Sequence, residues 1–391
     1  MNFDQIIDRR GTNCTKWDMM GAPSVGVSAE DGIPMWIADM DFEAPDFLQE
    51  AVHGLVERAN YGYFIGEDSL KERIAWWMQT RHGWAADPAS MSSTYGLGNG
   101  IALCLQAFTQ PGDEVIIFTP VYHEFAKKVA NAGRTVHESP LVIRDGVYHM
   151  DLDALGDSMT GREKVLLFCS PHNPAGRIWT AGELQALAEF CARHDLILLS
   201  DDVHNDLTYP GETYVPIPVA APSVTNRLVM LTSASKTFNV AGTRLGTITI
   251  PDDGLRAKFS AVLTGLNIQP NLLGLVLTEA AYSARGAAWV DELRTYVAEN
   301  SRLFLAGTSE IPGVTPMPMQ STYLSWLDFT NTGMEMGEVI RRVRQDARIA
   351  PSIGADFGTG GENFLRFNIG TTRARVLEAV ERLQAAFSDL Q

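Results

Sequence analysis

Short runs of apolar residues in the middle of the chain restrict the possible folds more than any other feature. Their lengths, and their content of Val, Ile and Leu, are typical of strands buried on both faces of a largely parallel sheet. The runs are EVIIF (114–118), KVLLFC (164–169), LILLS (196–200), LVML (228–231) and GTITI (246–250). The sequence therefore predicts a central parallel sheet covered by helices.

Helix signals lie between these runs and before them. Thr180 and Glu183 have the spacing of a capping box, in which each residue bonds the backbone N–H of the other, and an amphipathic pattern follows. Ser69 and Glu72 have the same spacing within 68–82, which predicts a second capped helix there. Together the strands and helices indicate an α/β fold with helices on both faces of the sheet.

The end of the chain has a different pattern. From residue 286 we predict a long helix, a strand in STYLSWLDF (321–329), a helix over 335–346, a strand in LRFNI (365–369) and a final helix. This order is typical of a smaller α+β domain. The irregular first 45 residues are expected to pack against that domain or to cover the site. We therefore predict a large domain over 46–285 and a small domain built from 1–45 and 286–391.

Charge and cysteine content limit the possible functions. The net charge of −16 argues against non-specific binding to nucleic acid or to an anionic membrane. The four cysteines have no metal-ligand spacing, and three of them, Cys104, Cys169 and Cys191, lie in apolar runs as expected of buried free thiols. Neither a signal segment nor an apolar stretch approaching 18 residues is found, so we expect a cytoplasmic protein.

Polar residues follow the predicted strands at the point where each strand ends. Tyr122 follows the first run, Asn173 the second, Asp201 and His204 the third, and Lys236 the fourth. In open α/β sheets, ligands bind beyond the carboxyl ends of the strands. We therefore expect these side chains to share one site.

A pyridoxal phosphate site needs this set of groups. Its aldehyde requires a lysine for a Schiff base, and its ring nitrogen requires a carboxylate that keeps the nitrogen protonated. Its ring oxygen needs a hydrogen-bond donor, and its ring needs an aromatic stacking partner. Its phosphate needs hydroxyls and backbone N–H groups, preferably at the N-terminus of a helix.

The motif SASKTFNVAGTRLG (233–246) resembles the lysine signature of class I and II aminotransferases, the fold type I enzymes. More narrowly, the chain is similar to the cystathionine β-lyase branch known as the MalY/PatB type of cysteine-S-conjugate β-lyases. The resemblance extends from residue 3 to near the C-terminus. The motifs that carry it are RRGTNCTKWD (9–18), PMWIADMDF (34–42), YGY (61–63), SPHNPAGRIWTAGEL (170–184), DDVHNDL (201–207) and SKTFNVAG (235–242).

The resemblance implies a role for each candidate residue. Lys236 would bond to the cofactor and then move the substrate's α-proton, and Asp201 would pair with the ring nitrogen. The other implied cofactor contacts are Asn173 and His204 at the ring, Tyr122 stacked on it, and Gly98, Asn99, Ser233, Ser235 and Arg244 around the phosphate. Tyr61 would reach the phosphate of the partner subunit in a homodimer. Arg366 would bind the substrate α-carboxylate through a two-pronged ion pair, with Asn173, Ala38 and Asp39 also at the substrate.

Each of these residues also has a purely structural interpretation. Asp201 could cap a helix, Asn173 could be a turn residue between prolines, and Tyr122 or His204 could simply belong to the core. Asp202 is the less suitable ring partner and could be solvated. The remaining alternatives are ion pairs for Arg244 and Arg366, and an interface contact without function for Tyr61.

The resemblance implies that an amino-acid substrate loses a thiol from its β-carbon, leaving pyruvate and ammonia. L-Cystathionine, cysteine and larger S-conjugates all suit such a site. Two other functions remain open. An aminotransferase would share the removal of the α-proton, and Arg244 belongs to the broader aminotransferase signature. A regulator-binding protein with weak lyase activity is the third possibility.

Overall fold

The computed structural model describes residues 2–390 of the 391-residue chain. Its strands are numbered in chain order. They are β1 Ile33–Pro34, β2 Met91–Thr94, β3 Glu114–Thr119, β4 Thr135–Pro140, β5 Val142–Arg144, β6 Val147–His149, β7 Glu163–Cys169, β8 Ile197–Asp201, β9 Leu228–Thr232, β10 Gly246–Thr249, β11 Thr315–Pro316, β12 Leu324–Asp328, β13 Ile349–Ala350, β14 Ser352–Ile353 and β15 Phe364–Asn368.

The α-helices are numbered in the same way. They are α1 Thr15–Asp18, α2 Asp46–Arg58, α3 Glu67–His82, α4 Leu97–Phe108, α5 Glu124–Asn131, α6 Leu152–Ser158, α7 Ala181–Arg193, α8 Ile217–Ala220, α9 Asp253–Gly265, α10 Leu272–Ala281, α11 Ala284–Ser309, α12 Met336–Arg341 and α13 Arg373–Ala386. The predicted domain boundary at residue 286 falls in the first turn of α11.

The central sheet has seven strands in the order β2-β10-β9-β8-β7-β3-β4. The strands from β9 to β4 run parallel, whereas β10 runs antiparallel to both of its neighbours. In the register of the sheet, Cys169 of β7 lies opposite Asp201 of β8, which lies opposite Leu231 of β9. The carboxyl ends of the parallel strands therefore meet at one edge, as the sequence predicts.

Both faces of the central sheet are buried. In β3, Val115 and Ile117 belong to one apolar cluster, whereas Ile116 and Phe118 belong to the other. Alternating side chains of one strand thus enter opposite cores, which explains the continuous apolar runs in the sequence. All four cysteines are buried free thiols, which confirms the interpretation of the three that lie in apolar runs.

The two capping predictions have different outcomes. At α7 the Thr180 side chain accepts from the Glu183 N–H at 3.3 Å and the Glu183 carboxylate accepts from the Thr180 N–H at 2.9 Å, so this capping box is confirmed. The prediction for Ser69 is wrong, because α3 already begins at Glu67. Gly66 precedes α3 with a φ of +131°, a conformation that favours glycine and sets an earlier start.

A second sheet lies in the C-terminal part of the chain. It is antiparallel, with the order β11-β12-β15-β14. The N-terminal segment joins this part through β1, which pairs in parallel with β13 so that Ile33 lies opposite Ile349. The first residues therefore pack against the C-terminal part, as expected. None of the helices in residues 2–390 has the length and apolar character needed to cross a membrane.

Candidate active site

A cavity of about 1010 Å³ opens at the carboxyl edge of the central sheet. It brings together most of the side chains that the sequence predicts for the site. The predicted residues that line it are Ala38, Gly98, Asn99, Tyr122, Asn173, Asp201, His204, Ser235, Lys236, Arg244 and Arg366. Strand ends that are far apart in the sequence thus form one site.

Lys236 lies on the loop that follows β9, and its amine faces the cavity. Its Nζ donates a hydrogen bond to the backbone oxygen of Ala38 at 2.7 Å. Burial lowers the pKa of Lys236 to about 8, because the charged form loses its water. A sizeable fraction of the amine is therefore neutral at mildly alkaline pH, as required of a nucleophile or a base.

Asp201 is the last residue of β8 and is 5% exposed. Its Oδ1 accepts a hydrogen bond from the Val203 N–H at 3.2 Å. The next α-helix begins only at Ile217, so Asp201 does not cap an α-helix. Burial raises the pKa of Asp201 to about 7, because the ionised form loses its water and the Val203 N–H and the charge of Lys236 offset only part of that cost. The site leaves room for a cationic partner to this carboxylate.

Asp202 points into a different environment. It is buried rather than solvated, which corrects the interpretation made from the sequence. Its Oδ1 accepts from the Ser200 hydroxyl at 2.5 Å, and its Oδ2 accepts from the Tyr214 hydroxyl. Because these hydroxyls occupy its carboxylate, Asp202 is less suited than Asp201 to pair with a ligand.

We expect Asp201→Asn to change how the stability of the cofactor-free chain depends on pH. An Asp whose pKa is raised in the folded state stabilises the fold below its unfolded value of about 4, and this contribution is lost as the pH rises through about 7. The Tm of the Asn variant relative to that of the parent chain should therefore rise between pH 4 and 7, because the variant has no carboxyl to ionise at this position. Thermal melts at several pH values would measure it. Equal slopes for both chains would contradict the buried, unpaired carboxylate.

Arg366 and Asn173 form a connected pair in the wall of the cavity. Arg366 comes from β15 and donates to the Asn173 Oδ1 at 2.9 Å, to the Ser352 hydroxyl at 3.0 Å and to the Trp36 backbone oxygen at 2.7 Å. Its guanidinium also lies 5.0 Å from the centre of the Phe357 ring. Its Nε is buried without a hydrogen-bond partner in residues 2–390. An anion in the cavity could take up that unused donor.

His204 and Tyr122 are held in their neutral forms. His204 is 2% exposed, and burial lowers its pKa to about 3, so its ring is uncharged at physiological pH. Its Nδ1 is buried and has no partner in the described part of the chain. Burial likewise raises the pKa of Tyr122 to about 12. Both rings can therefore contact a ligand without adding charge to the site.

The N-terminus of α4 supplies backbone donors to the cavity. This helix begins at Leu97, which places Gly98 and Asn99 in its first turn. The first backbone bond of the helix runs from the Gly100 N–H to the Gly96 oxygen at 3.1 Å. The preceding N–H groups point out of the helix end, where the helix dipole favours an anion such as phosphate.

Three more predicted phosphate contacts are Ser233, Ser235 and Arg244, of which only Ser235 and Arg244 line the cavity. Ser235 lines the cavity, whereas Ser233 donates its hydroxyl to the Leu245 backbone oxygen at 2.7 Å and accepts from the Ser235 N–H at 3.1 Å. Ser233 thus shapes the lysine loop without lining the cavity. Arg244 has an exposed side chain at the cavity wall and a φ of +51°.

Asp39 and Tyr61 do not line the cavity of this chain. The Asp39 Oδ2 accepts from the Arg9 guanidinium at 3.0 Å, so its charge is already paired. Tyr61 is 63% exposed and lies on the loop before α3.

Residues 36–41, here called the strap, form part of the cavity wall at residues 36–38 and contact Lys236 through the Ala38 oxygen. Each backbone oxygen from residue 36 to residue 40 accepts a hydrogen bond from at least one side chain. The donors are Arg366 and Ser352 at Trp36, Asn368 at Ile37, Lys236 and Tyr323 at Ala38, Lys16 and Asn368 at Asp39, and Arg9 and Asn239 at Met40. The reasoning from sequence missed this arrangement. Its only signal was that Lys16 and Asn239 lie in two of the conspicuous motifs.

Asn239 and Lys16 fix the strap most directly. The Asn239 amide makes two bonds to Met40, accepting from its N–H at 2.8 Å and donating to its oxygen at 2.7 Å. Lys16 is fully buried and donates to the Asp39 oxygen at 2.9 Å and to the Asp41 carboxylate at 2.9 Å. The position of the Ala38 oxygen beside Lys236 therefore depends on groups on both sides of the strap.

Pyridoxal phosphate fits these residues. The unpaired Asp201 carboxylate suits a protonated ring nitrogen, the Lys236 amine suits an aldehyde, and the free N–H groups of α4 suit a phosphate. The three groups lie at different points of one cavity and are chemically complementary to the three ends of the cofactor.

Comparisons with known proteins agree with this interpretation of the site. Residues 40–383 match the family model for aminotransferase class I and II. The chain is 37% identical to cystathionine beta-lyase PatB of Bacillus subtilis, over 99% of this chain and 100% of that protein. It is 29% identical to protein MalY of Escherichia coli, over 98% and 97% of the two chains.

Solved structures that contain pyridoxal phosphate are also similar to this chain. Cystalysin from Treponema denticola, which contains a pyridoxal 5'-phosphate cofactor, is 31% identical and superimposes with a TM-score of 0.94 over 100% of this chain and 99% of that chain. A PLP-bound C-S lyase from Staphylococcus hominis is 26% identical, with a TM-score of 0.90 over 100% and 98% of the two chains.

Proposed function

The chain belongs to the class I and II aminotransferase family, in its cystathionine β-lyase branch and with the type I fold, and we propose that it cleaves cysteine S-conjugates such as L-cystathionine. The proposed reaction converts the thioether and one water into pyruvate, ammonia and a thiol. One observation carries the proposal. The Lys236 amine, the Asp201 carboxylate and the Arg366 guanidinium line the same cavity. Burial shifts the pKa of Lys236 and that of Asp201, and the Arg366 Nε has no hydrogen-bond partner in residues 2–390.

Pyridoxal phosphate, when bound, supplies an aldehyde that bonds to amines and a protonated ring that accepts electron density from the substrate Cα. In this proposal Lys236, Asn173, Asp201 and the first turn of α4 hold it. Asp201 would keep a negative charge beside the ring nitrogen. Tyr122 and His204 would contact the ring in their neutral forms.

Arg366 is proposed to orient the substrate through its α-carboxylate. Its buried guanidinium presents a planar set of donors, and the unpartnered Nε leaves one of them free for a carboxylate oxygen. Asn173 fixes one side of the guanidinium and Phe357 covers its face. The carboxylate is thereby held so that the bond from Cα to its hydrogen can be directed at Lys236.

Lys236 is proposed to remove the proton from Cα and to carry it within the site. Its pKa of about 8 leaves enough neutral amine for this at mildly alkaline pH, and the Ala38 oxygen at 2.7 Å sets the direction of Nζ. Loss of the proton allows the bond between Cβ and sulfur to break, and the thiolate then leaves with its electron pair.

The first test of this function is a product assay without any oxo acid. Purified holoenzyme is mixed with L-cystathionine, and pyruvate and free thiol are measured over many turnovers. Equal amounts of both products support the lyase. Absence of pyruvate, together with conversion of the cofactor to its amine form that 2-oxoglutarate reverses, would identify an aminotransferase instead.

We expect Arg366→Lys to raise the KM for L-cystathionine by about 10- to 100-fold with a smaller change in kcat. Lysine keeps the positive charge but lacks the planar pair of donors that a carboxylate needs. Steady-state kinetics of pyruvate release would measure both constants. Arg341→Lys, at a surface position, is the matched control and should leave both unchanged. An unchanged KM in the Arg366 variant would remove this residue from the carboxylate site.

We also propose that the enzyme is a homodimer whose partner covers the loop before α3. Tyr61, Tyr63 and Ile65 on this loop are 63%, 108% and 98% exposed, which is a large apolar area for one short segment. Tyr61 would then reach the partner's phosphate site. Analytical ultracentrifugation should give twice the 42.9 kDa chain mass, whereas a monomer would contradict the proposal.

The four buried free thiols support a reducing, cytoplasmic location, which cell fractionation would test.

A further inference from the structure

We propose that Arg344 and Asp356 form a second subsite in the active-site cavity, which binds a charged amino-acid group on the leaving thiol. The inference rests on the proposed lyase function and narrows its substrate class. The preferred substrates are then thioethers of cysteine whose thiol half itself carries an α-ammonium and a carboxylate, as L-cystathionine does.

Arg344 is a cation that the fold leaves without an ion pair. Its side chain is half-buried and lines the cavity. Its Nε is buried without a hydrogen-bond partner in the described part of the chain, and none of the acidic groups in residues 2–390 forms a salt bridge with it. In a chain with net charge −16, an unpaired half-buried arginine is unusual and is well placed for an anionic ligand.

Unlike Arg344, the neighbouring arginines Arg341 and Arg342 form ion pairs. Arg341 pairs with Glu338 at 2.8 Å and with Asp346 at 2.9 Å, and Arg342 pairs with Glu338 at 2.9 Å and with Asp389. All three arginines lie where α12 passes into a π-helical turn over Arg342–Asp346. Such wide turns are frequent at functional sites, because they change which residues a helix presents to its surroundings.

The other basic side chains near the cavity already have partners or other roles. Lys127 and Lys128 on α5 pair with Glu124 at 3.1 Å and 2.9 Å. Arg366 is bonded to Asn173 and is proposed to hold the α-carboxylate. Arg244 also lines the cavity and forms no salt bridge in residues 2–390, but the family resemblance implies that it contacts the cofactor phosphate. Arg344 is therefore the cation that remains available for a second anionic group of the substrate.

Asp356 supplies the complementary charge. It lies in the turn Gly354–Phe357, is exposed and lines the same cavity. Burial lowers the pKa of Arg344 and the charge of Asp356 offsets part of that shift, yet the two side chains form no salt bridge. A cation and an anion that are near each other but not joined match the carboxylate and ammonium of an amino acid.

The two subsites are connected through the small sheet. Ser352 of β14 lies opposite Arg366 of β15, and its hydroxyl accepts from the Arg366 guanidinium at 3.0 Å. Phe357, the residue after Asp356, packs on the same guanidinium. A substrate with a charged group at each end could therefore contact Arg366 with one end and Arg344 and Asp356 with the other.

The test compares two substrates in the holoenzyme. L-Cystathionine has a charged thiol half, whereas S-ethyl-L-cysteine has a neutral one. We expect Arg344→Met to lower kcat/KM for L-cystathionine by about 10- to 100-fold, the range for losing a charge-assisted hydrogen bond, and to change kcat/KM for S-ethyl-L-cysteine by less than about 3-fold. Asp356→Asn should have a smaller effect in the same direction, and the control Arg341→Met should affect neither substrate.

Each outcome has a defined meaning. Equal losses for both substrates, or no loss for either, would overturn the second subsite while leaving the lyase intact, because pyruvate would still form. Cleavage of S-ethyl-L-cysteine without cleavage of L-cystathionine by the parent enzyme would also overturn it. Absence of pyruvate from both substrates would instead refute the proposed lyase function.

Discussion

Lys236→Ala should abolish pyruvate formation, with a loss of at least about 10³-fold, because one change removes both the nucleophile and the base. The variant should also lose the covalent attachment of the cofactor. Borohydride reduction of the parent holoenzyme should add the mass of reduced pyridoxal phosphate to the peptide that contains Lys236. The same treatment of the variant should leave its peptides unchanged.

Lys258→Ala is the matched control for this experiment. Lys258 is an exposed lysine on α9, outside the cavity, so its removal should change neither the activity nor the labelled peptide. If the Lys236 variant kept its turnover, or if the label appeared at another lysine, the assignment of Lys236 would be wrong. The thermal stability of both variants should be compared, so that loss of the fold is not mistaken for loss of chemistry.

Lys16→Met should destabilise the chain by about 3 to 5 kcal/mol, the cost of removing one partner from a buried ion pair, although Arg9 at 3.2 Å still contacts the Asp41 carboxylate. Lys16 and Asp41 are both fully buried, with 2.9 Å between Nζ and Oδ2. Burial alone would raise the pKa of Asp41, but Lys16 and the Trp17 indole hold that pKa below its usual value. The variant removes Lys16, the largest of the influences that lower the pKa of Asp41.

Denaturant unfolding at two pH values would measure this effect. In the variant the pKa of Asp41 should rise, so the stability deficit should shrink as the pH falls and the carboxyl becomes neutral. Lys71→Met is the control, because Lys71 makes a partly exposed pair with Glu67 at 3.6 Å. We expect that change to cost less than about 1 kcal/mol. A similar small cost for Lys16 would show that the other donors to Asp41 suffice.

Features encoded locally were predictable from the sequence. The apolar runs gave the strands of the central sheet, and the polar residues that follow them were correctly expected at one edge, because parallel strands end together. The capping box at Thr180 was found from spacing alone. At Ser69 the same spacing was misleading, since the conformation of Gly66 starts α3 earlier.

Contacts made through the backbone were beyond the reach of sequence reasoning. Nothing in the spacing of Asn239 or Lys16 reveals that Asn239 donates to the Met40 oxygen and that Lys16 donates to the Asp39 oxygen. The environment of Asp202 was also missed, because the Tyr214 hydroxyl that binds it comes from a different segment. The lack of a partner for Arg344 depends on where every acidic group lies in space. Such facts require the assembled fold.

The strap has a consequence for how this active site can change during evolution. Its contacts are made by backbone oxygens, so replacing Ile37 or Ala38 alters the shape of the cavity wall without removing a single one of those bonds. Inserting or deleting one residue would instead shift every oxygen past its donor and separate the Ala38 oxygen from Lys236. The number of residues in the strap is therefore fixed by its backbone contacts, whereas its side chains can change under selection for new substrates.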